Sequence, residues 1–291
     1  MVKKIADLYL DARRAFLTRE DANTASLLAR NVVCHVTGLS PEQMLAQREM
    51  YANETVCQAM DVCVSRVLDG EPLAYVLGNW DFYGMTLHIN KHVLIPRDDT
   101  CAVTTLAIKR ALFLDSDPRI LDLCTGSGCI GLAIAARVKD ARVTLADISR
   151  DALLVAKKNV TAQKMTSRVT CVQADALTPP SGFLGQFDMI VSNPPYITTR
   201  EMEELPDSVK NYEPHLALHG GEDGLDFHRA IAANYHAALK PNGYLCFEFG
   251  MGQGDAVCAI LEKNGYTVLE RVKDDNDRER AVIAQYGRKE D

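Results

Sequence analysis

An α/β fold built on a mostly parallel, doubly wound sheet is predicted by three observations. Short β-branched runs alternate with helical stretches after Pro96, polar residues close several of those runs, and a glycine-rich loop follows the first of them. A small all-helical region and a linker containing a β-hairpin are predicted ahead of it. A chain of 291 residues has room for both, because single cores stop growing at about 250–300 residues. The expected boundaries are 1–70 for an N-terminal helical domain, 71–96 for the hairpin linker and 97–291 for the larger α/β domain.

In the first region Ile5, Leu8, Tyr9, Ala12, Ala15 and Phe16 fall at helical spacing, and Leu27, Leu28, Val32 and Val33 continue the pattern. Gly38-Leu39-Ser40-Pro41-Glu42 reads as a helix stop and restart, with Ser40 as N-cap and Pro41 in the first helical position. Charges here are mixed in sign, which favours packing or partner docking over a nucleic-acid surface. Between Gly70 and Pro96 the texture turns aromatic and β-branched, as in residues 75–84, 87–90 and 93–95, and predicts the hairpin. Beyond it, strands are expected at 119–123, 142–147, 169–172 and 187–191. Helices are expected through Ala136 and from Ser149 to about Val160.

Composition narrows the function. No apolar run nears the roughly 20 residues that span a bilayer, and residues 1–7 lack a signal peptide's apolar stretch. The nine cysteines are scattered, with no Cys-x-x-Cys pair or zinc-ribbon spacing, so reduced thiols in a cytoplasmic protein are expected. A net charge of −7 argues against a broad electrostatic grip on nucleic acid.

The loop Asp122-Leu123-Cys124-Thr125-Gly126-Ser127-Gly128-Cys129-Ile130-Gly131 follows a strand and opens a helix, where glycines admit a ligand close to the backbone. Gly126, Gly128 and Gly131 satisfy G-x-G-x-x-G, and Asp147 ends the next strand as a ribose-binding acid would, so a dehydrogenase must be considered. Asp122 separates the two cofactors. A carboxylate at the loop mouth repels a pyrophosphate but attracts an ammonium and a sulfonium by a few kcal/mol, roughly. S-adenosylmethionine, leaving as S-adenosylhomocysteine, is therefore the expected cofactor. Asp175, after the third strand, can accept from an adenine amino group.

Ser192-Asn193-Pro194-Pro195-Tyr196 follows the strand at 187–191. The two prolines lack backbone donors and fix φ, leaving a rigid ledge of carbonyl acceptors. The Asn193 side-chain oxygen and the Pro194 carbonyl can together hold both N–H bonds of a planar amino or amide group, and Tyr196 can lay a flat face against it. Positioning then supplies most of the catalysis.

With these motifs in this order, the chain resembles the PrmC or HemK family of glutamine N5-methyltransferases that act on peptide-chain release factors. The resemblance covers nearly the whole chain. It includes 70–78, 82–84, 93–97, the glycine loop, 192–196, 213–218 and 220–224. The linker and Glu213-Pro214-His215-Leu216-Ala217-Leu218 discriminate most, since Asn-Pro-Pro-Tyr also occurs in methyltransferases of DNA adenine and RNA guanine. The resemblance implies a Rossmann-like S-adenosylmethionine-dependent domain, a release factor as protein partner, and the glutamine of a Gly-Gly-Gln loop as substrate. It also implies that Asp122, Cys124, Thr125, Gly126, Ser127, Gly128, Asp147, Asp175, Ala176 and Asn193 surround the cofactor. Asn193, Pro194, Pro195 and Tyr196 hold the amide, with Asn193, Pro194 and Tyr196 catalytic. No metal, stable nucleic-acid partner or membrane is implied.

The sequence departs from the family's pattern in three places. Ala176 stands where a large aromatic is common, so another residue must cover the adenine. Arg97-Asp98-Asp99-Thr100 replaces Arg-Pro-Glu-Thr, and residues 273–278 lack the usual glycine spacing. His88 with His92, and His215 with His219, lie four apart but fall in a hairpin and a loop, so metal binding is not expected. Cys124 and Cys129 are expected to be packing residues. The rival reading is an amino-methyltransferase of adenine or guanine, which would need a basic, aromatic-lined channel.

Overall fold

The computed structural model describes residues 2–287. It divides into two compact units, one ending at Gly78 and taking up Asp207–Tyr212, the other beginning at Asn79.

The first unit is a bundle of the helices Ile5–Phe16, Ala22–Thr37, Pro41–Ala46, Glu54–Leu68 and Leu73–Leu77. Its core gathers Leu8, Phe16, Ala25, Ala29, Val32, Val33 and Met60, the positions that helical spacing singles out and their partners. Ser40 caps its helix on Gln43 N with Pro41 first inside, and Asp21 and Asn53 cap two others. Each such cap is worth about 1 kcal/mol. Leu73–Leu77 is helical although its residues have strand-like texture. Arg66, paired with Glu71, donates to the Tyr75 carbonyl at 3.2 Å and satisfies an acceptor that the helix end leaves open. Strands β1 (Lys3–Lys4) and β2 (Tyr51–Ala52) pair antiparallel, too short to leave a periodic signal.

The second unit starts with the expected hairpin, β3 (Asn79–Phe82) and β4 (Met85–His88). Tyr83 and Gly84 turn it with φ of 51° and 78°, the backbone twist that two-residue hairpins favour. The sheet follows: β5 (Arg119–Leu123), β6 (Arg142–Asp147), β7 (Val169–Gln173), β8 (Phe187–Ser192), β9 (Leu239–Glu248), β10 (Tyr266–Lys273) and β11 (Glu279–Tyr286). Their order is β10-β11-β9-β8-β5-β6-β7, parallel from β9 to β7 and antiparallel at β10 and β11. This is the doubly wound, mostly parallel sheet. Ile120, Leu121, Leu123, Leu145, Ile190 and Val191 are fully buried, as parallel strands covered on both faces must be. Truncating one such leucine to alanine would cost about 2–5 kcal/mol.

From β5 the chain adds β6 and β7 on one side and β8 and β9 on the other. Ligands settle where strand order reverses, in the crevice outside the carboxyl ends, here between β5 and β8. Leu123 lies opposite both Ala146 and Ser192, so Cys124, Asp147 and Asn193 leave the sheet at one level. Among the described residues no helix is long and apolar enough to cross a membrane.

Candidate active site

A cavity of about 930 Å³, open to solvent, occupies this switch point. One wall is the glycine loop from Cys124 to Ser127, with Asp147 to Ser149 and Ala174 to Ala176. The other is formed by linker residues His92 to Leu94, Pro96, Arg97 and Thr100, with Asn193, Pro195, Pro214, Leu216, Ala217 and Phe227. The two segments that discriminate most in the sequence meet here: Glu213, 4% exposed, takes the Arg97 guanidinium and, at 3.2 Å, the backbone N–H of Ile95.

Thr125 is pinned by its backbone N–H to the Ala146 carbonyl at 3.0 Å. Gly126 has φ of 52°, and a Cβ built on it would meet nothing within 4 Å, so its backbone opens on the cavity. Its N–H donates to Asp147 Oδ2 at 2.9 Å, and Ser149 N–H donates to Oδ1 at 2.9 Å. Burial raises the Asp147 pKa while these backbone donors favour its ionised form. Each oxygen keeps a lone pair for a ligand hydroxyl. Ser127 is 2% exposed, and its hydroxyl has no partner among the described residues although the residue lines the cavity. Asp175 lines the far end, with Oδ1 taking Leu177 N–H at 2.9 Å.

Four expectations need correction. Asp122 is fully buried and does not line the cavity. Its Oδ2 accepts from Thr125 Oγ1 at 2.6 Å and Gly131 N at 2.8 Å, and burial pushes its pKa up to about 7. It therefore shapes the loop instead of facing a cation, and the acids that face the cavity are Asp147 and Asp175. Gly128 is likewise a packing position, where a Cβ would sit 3.0 Å from Leu145. Tyr196 does not lend its face to the cavity. Its hydroxyl donates to Glu248 Oε1 at 3.3 Å and its carbonyl accepts from Gln253 Nε2 at 3.1 Å, which ties the ring back into the sheet. Pro194 is buried outside the lining as well, whereas Asn193 and Pro195 belong to it.

Cys124 takes a left-handed φ of 60°, and burial pushes its thiol far up; that of Cys129 rises to about 12. Neither forms a thiolate near neutral pH, so nucleophilic chemistry is not open to them. Sequence reading missed Asn159, fully buried, whose Nδ2 donates to the carbonyls of His88 at 3.0 Å and Ser127 at 2.9 Å, fastening the hairpin to the glycine loop. It missed Thr100, the hydrogen-bond partner of Asn193 Nδ2 at 3.2 Å, and Phe227. Asn159 is a buried amide inside an otherwise regular helical pattern, a signal that was available.

Residues 9–78 match the PrmC N-terminal domain and residues 103–209 the methyltransferase small domain. A release factor glutamine methyltransferase of Clostridium acetobutylicum is 41% identical over 216 residues, covering 74% of this chain and 75% of its own. One of Geobacter sulfurreducens is 34% identical over 280 residues, covering 96% of this chain and 95% of its own. A bifunctional methyltransferase of Rickettsia felis is 34% identical across 92% of this chain, which spans about half, 55%, of that relative. A solved methyltransferase of Pyrococcus furiosus shares the fold, with a TM-score of 0.51 at 17% identity over 77% of this chain and 98% of that one.

Proposed function

The chain belongs to the release factor glutamine methyltransferase family, and on that premise we propose that it methylates the side-chain amide nitrogen (N5) of the glutamine in the Gly-Gly-Gln loop of peptide-chain release factors, with S-adenosylmethionine as donor. The observation that carries this reading is one cavity lined both by Asp147 with the glycine loop and by Asn193.

The residues of the first wall fit the cofactor. Asp147 keeps lone pairs for ribose hydroxyls, the unpartnered Ser127 hydroxyl awaits a polar group, and Gly126 leaves room where a side chain would intrude. Asp175 accepts from the adenine amino group. Ala174 and Ala176 offer only methyl groups, and Phe227 is the sole Phe, Tyr or Trp lining the cavity among the described residues, so it supplies the aromatic face for the adenine. When bound, S-adenosylmethionine supplies an electrophilic methyl group on a sulfonium and leaves as S-adenosylhomocysteine.

An amide nitrogen is a weak nucleophile, because its lone pair is delocalised into the carbonyl. Asn193 accepts one of its N–H bonds, and the Pro194-Pro195 ledge, with φ fixed by both rings, keeps that acceptor from moving. Holding the reacting atoms in near-attack geometry can supply about 7–11 kcal/mol of the barrier. Once methylated, the nitrogen is acidic and gives its proton to water, so no strong base is required. The N-terminal helical unit docks the release factor, and the reaction belongs to translation termination in the cytoplasm.

The test is methyl transfer from labelled S-adenosylmethionine to a purified release factor, run beside the factor with its loop glutamine changed to alanine, and beside total RNA and DNA. Label on the unaltered factor alone is expected. Label on nucleic acid instead would replace the glutamine assignment with adenine or guanine methylation.

A further inference from the structure

Asn159, fully buried on the helix Arg150–Ala162, does not line the cavity but holds a part of its wall. Its Oδ1 accepts the His88 backbone N–H at 2.6 Å, and its Nδ2 donates to the carbonyls of His88 at 3.0 Å and Ser127 at 2.9 Å. A carboxamide offers one acceptor oxygen and two N–H donors, and here each is engaged. The partners fix the orientation of the amide, since reversing it would set its oxygen against two carbonyls and its nitrogen against an N–H.

His88 ends β4, and residues two apart on a strand turn their backbone groups to the same edge. Thr86 accordingly shows its carbonyl to the same helix, where Gln163 Nε2 donates to it at 2.9 Å. Asn159 and Gln163 lie four apart, neighbours on one helix face, and their amides serve the free edge of β4 as a third strand would. A lone two-stranded hairpin is marginally stable in water, so this edge contact keeps β4 seated on the helix.

The remaining contact reaches the glycine loop. Gly128 N–H closes the turn Thr125–Gly128 on the Thr125 carbonyl at 2.8 Å. The peptide joining Ser127 to Gly128 is thus held at its N–H by the turn and at its C=O by Asn159. The same turn contains Gly126, whose backbone opens on the cavity and donates to Asp147. One side chain therefore ties the hairpin edge to the segment of wall assigned to the cofactor.

We propose that Asn159 is a positioning residue for S-adenosylmethionine: it holds the glycine-loop turn in its binding shape from the edge of the hairpin, so that cofactor binding and closure of the hairpin on the helix are coupled. This deepens the function given above and rests on its cofactor assignment. Such coupling is reciprocal. If opening the Asn159 clamp weakens cofactor binding by some factor, bound cofactor makes that opening rarer by the same factor.

The test uses the full chain and needs no release factor for its first readouts. Asn159→Leu removes all three hydrogen bonds, and Asn159→Asp keeps an acceptor for the His88 N–H but loses the donors to Ser127. Calorimetry should show both binding S-adenosylhomocysteine about tenfold more weakly than wild type. KM for S-adenosylmethionine should rise alike, with KM for the factor and kcat at saturating donor within about threefold. Gln163→Ala loosens the same hairpin edge without reaching the glycine loop, and should leave the affinity within about threefold. In wild type, saturating S-adenosylhomocysteine should slow hydrogen exchange at the His88 amide about tenfold, and this measurement decides the matter where the Asn159 variants do not fold. Asn159 variants with wild-type affinity, a Gln163→Ala loss equal to theirs, or a His88 amide indifferent to the ligand would each overturn the proposal while leaving the function standing. A wild-type chain that shows the coupling but labels nucleic acid instead of the factor would uphold the proposal and overturn the glutamine assignment. One that binds no S-adenosylhomocysteine would overturn both.

Discussion

Asp122→Asn should change how stability depends on pH. The carboxyl is fully buried, and burial lifts its pKa from 3.8 to about 7 against the pull of Thr125 and Gly131. The folded chain therefore holds a proton that the unfolded chain releases between those values. Stability from this group is fully present below about pH 4, declines as pH rises through the window, and is lost above about pH 7. A move from 3.8 to about 7 corresponds to about 4 kcal/mol at most. The asparagine keeps an oxygen for Thr125 Oγ1 and Gly131 N–H, and its NH₂ replaces Oδ1, which has no partner. That unpaired donor costs about 1–3 kcal/mol at every pH, so the slope carries the information. Urea unfolding of both proteins across about pH 4 to 8 measures the difference directly. Wild type should lose up to about 4 kcal/mol relative to the D122N variant over that span. A difference independent of pH, or one that shifts in favour of wild type as pH rises, would refute the buried, proton-holding role and return Asp122 to the part of a fixed charge.

Other substitutions probe the same geometry. Gly131→Ala places a Cβ 2.3 Å from Leu145 and 2.9 Å from Asp122 Oδ2 and should cost about 1–3 kcal/mol or more in thermal unfolding. Gly126→Ala points a methyl group into the open cavity at φ 52°, and calorimetry should show S-adenosylhomocysteine affinity falling about tenfold or more, beyond a strain of about 1–2 kcal/mol. Cys124→Gly relieves a left-handed φ of 60° on a non-glycine residue but deletes a thiol packed against the core, so urea unfolding should show a net change of less than about 1 kcal/mol. Burial and the charge of Asp99 lift Glu248 to about 7 against the charge of Arg280 and the Tyr196 hydroxyl, so the folded chain holds a proton there, and Glu248→Gln should remove a loss of stability that wild type shows in urea unfolding as pH rises through about 7.

The sheet was legible in the sequence as far as β8, because β5, β6 and β8 are buried on both faces and their apolar runs are short, bounded and closed by polar residues. Beyond Ser192 the signal fails for a physical reason. β9 contains Pro241-Asn242-Gly243, with Asn242 at φ 59° and a register irregularity against β8 between Phe187 and Met189. A proline and a left-handed residue are what marks a turn elsewhere. β10 carries Glu270, Arg271 and Lys273 on a partly exposed edge, which blurs the alternation further. The hairpin was readable, but Leu73–Leu77 was not, since five residues are too few to set a helical period and Arg66, far back in the chain, satisfies the carbonyl of Tyr75.

The candidate site divides along the same line. Gly126, Asp147, Asp175 and Asn193 could be placed from the sequence because a strand end fixes where the next side chain goes, and the register delivers all four to one crevice. Burial and facing cannot be read that way. Asp122 and Asp147 are both acids near the carboxyl ends of adjacent strands, yet Asp122 lies one residue inside β5 and bonds its own loop, while Asp147 is the last residue of β6 and reaches the cavity. Tyr196 follows Asn193 by three residues and points back to Glu248, 52 residues on. Glu248 itself had the mark that flagged the others, a carboxylate closing the apolar run Leu245-Cys246-Phe247. A strand-closing acid is therefore evidence of a carboxyl near the crevice, but register alone does not set its role: Asp147 and Glu248 both end their strands, yet Asp147 lines the cavity while Glu248 is buried and takes the Tyr196 hydroxyl.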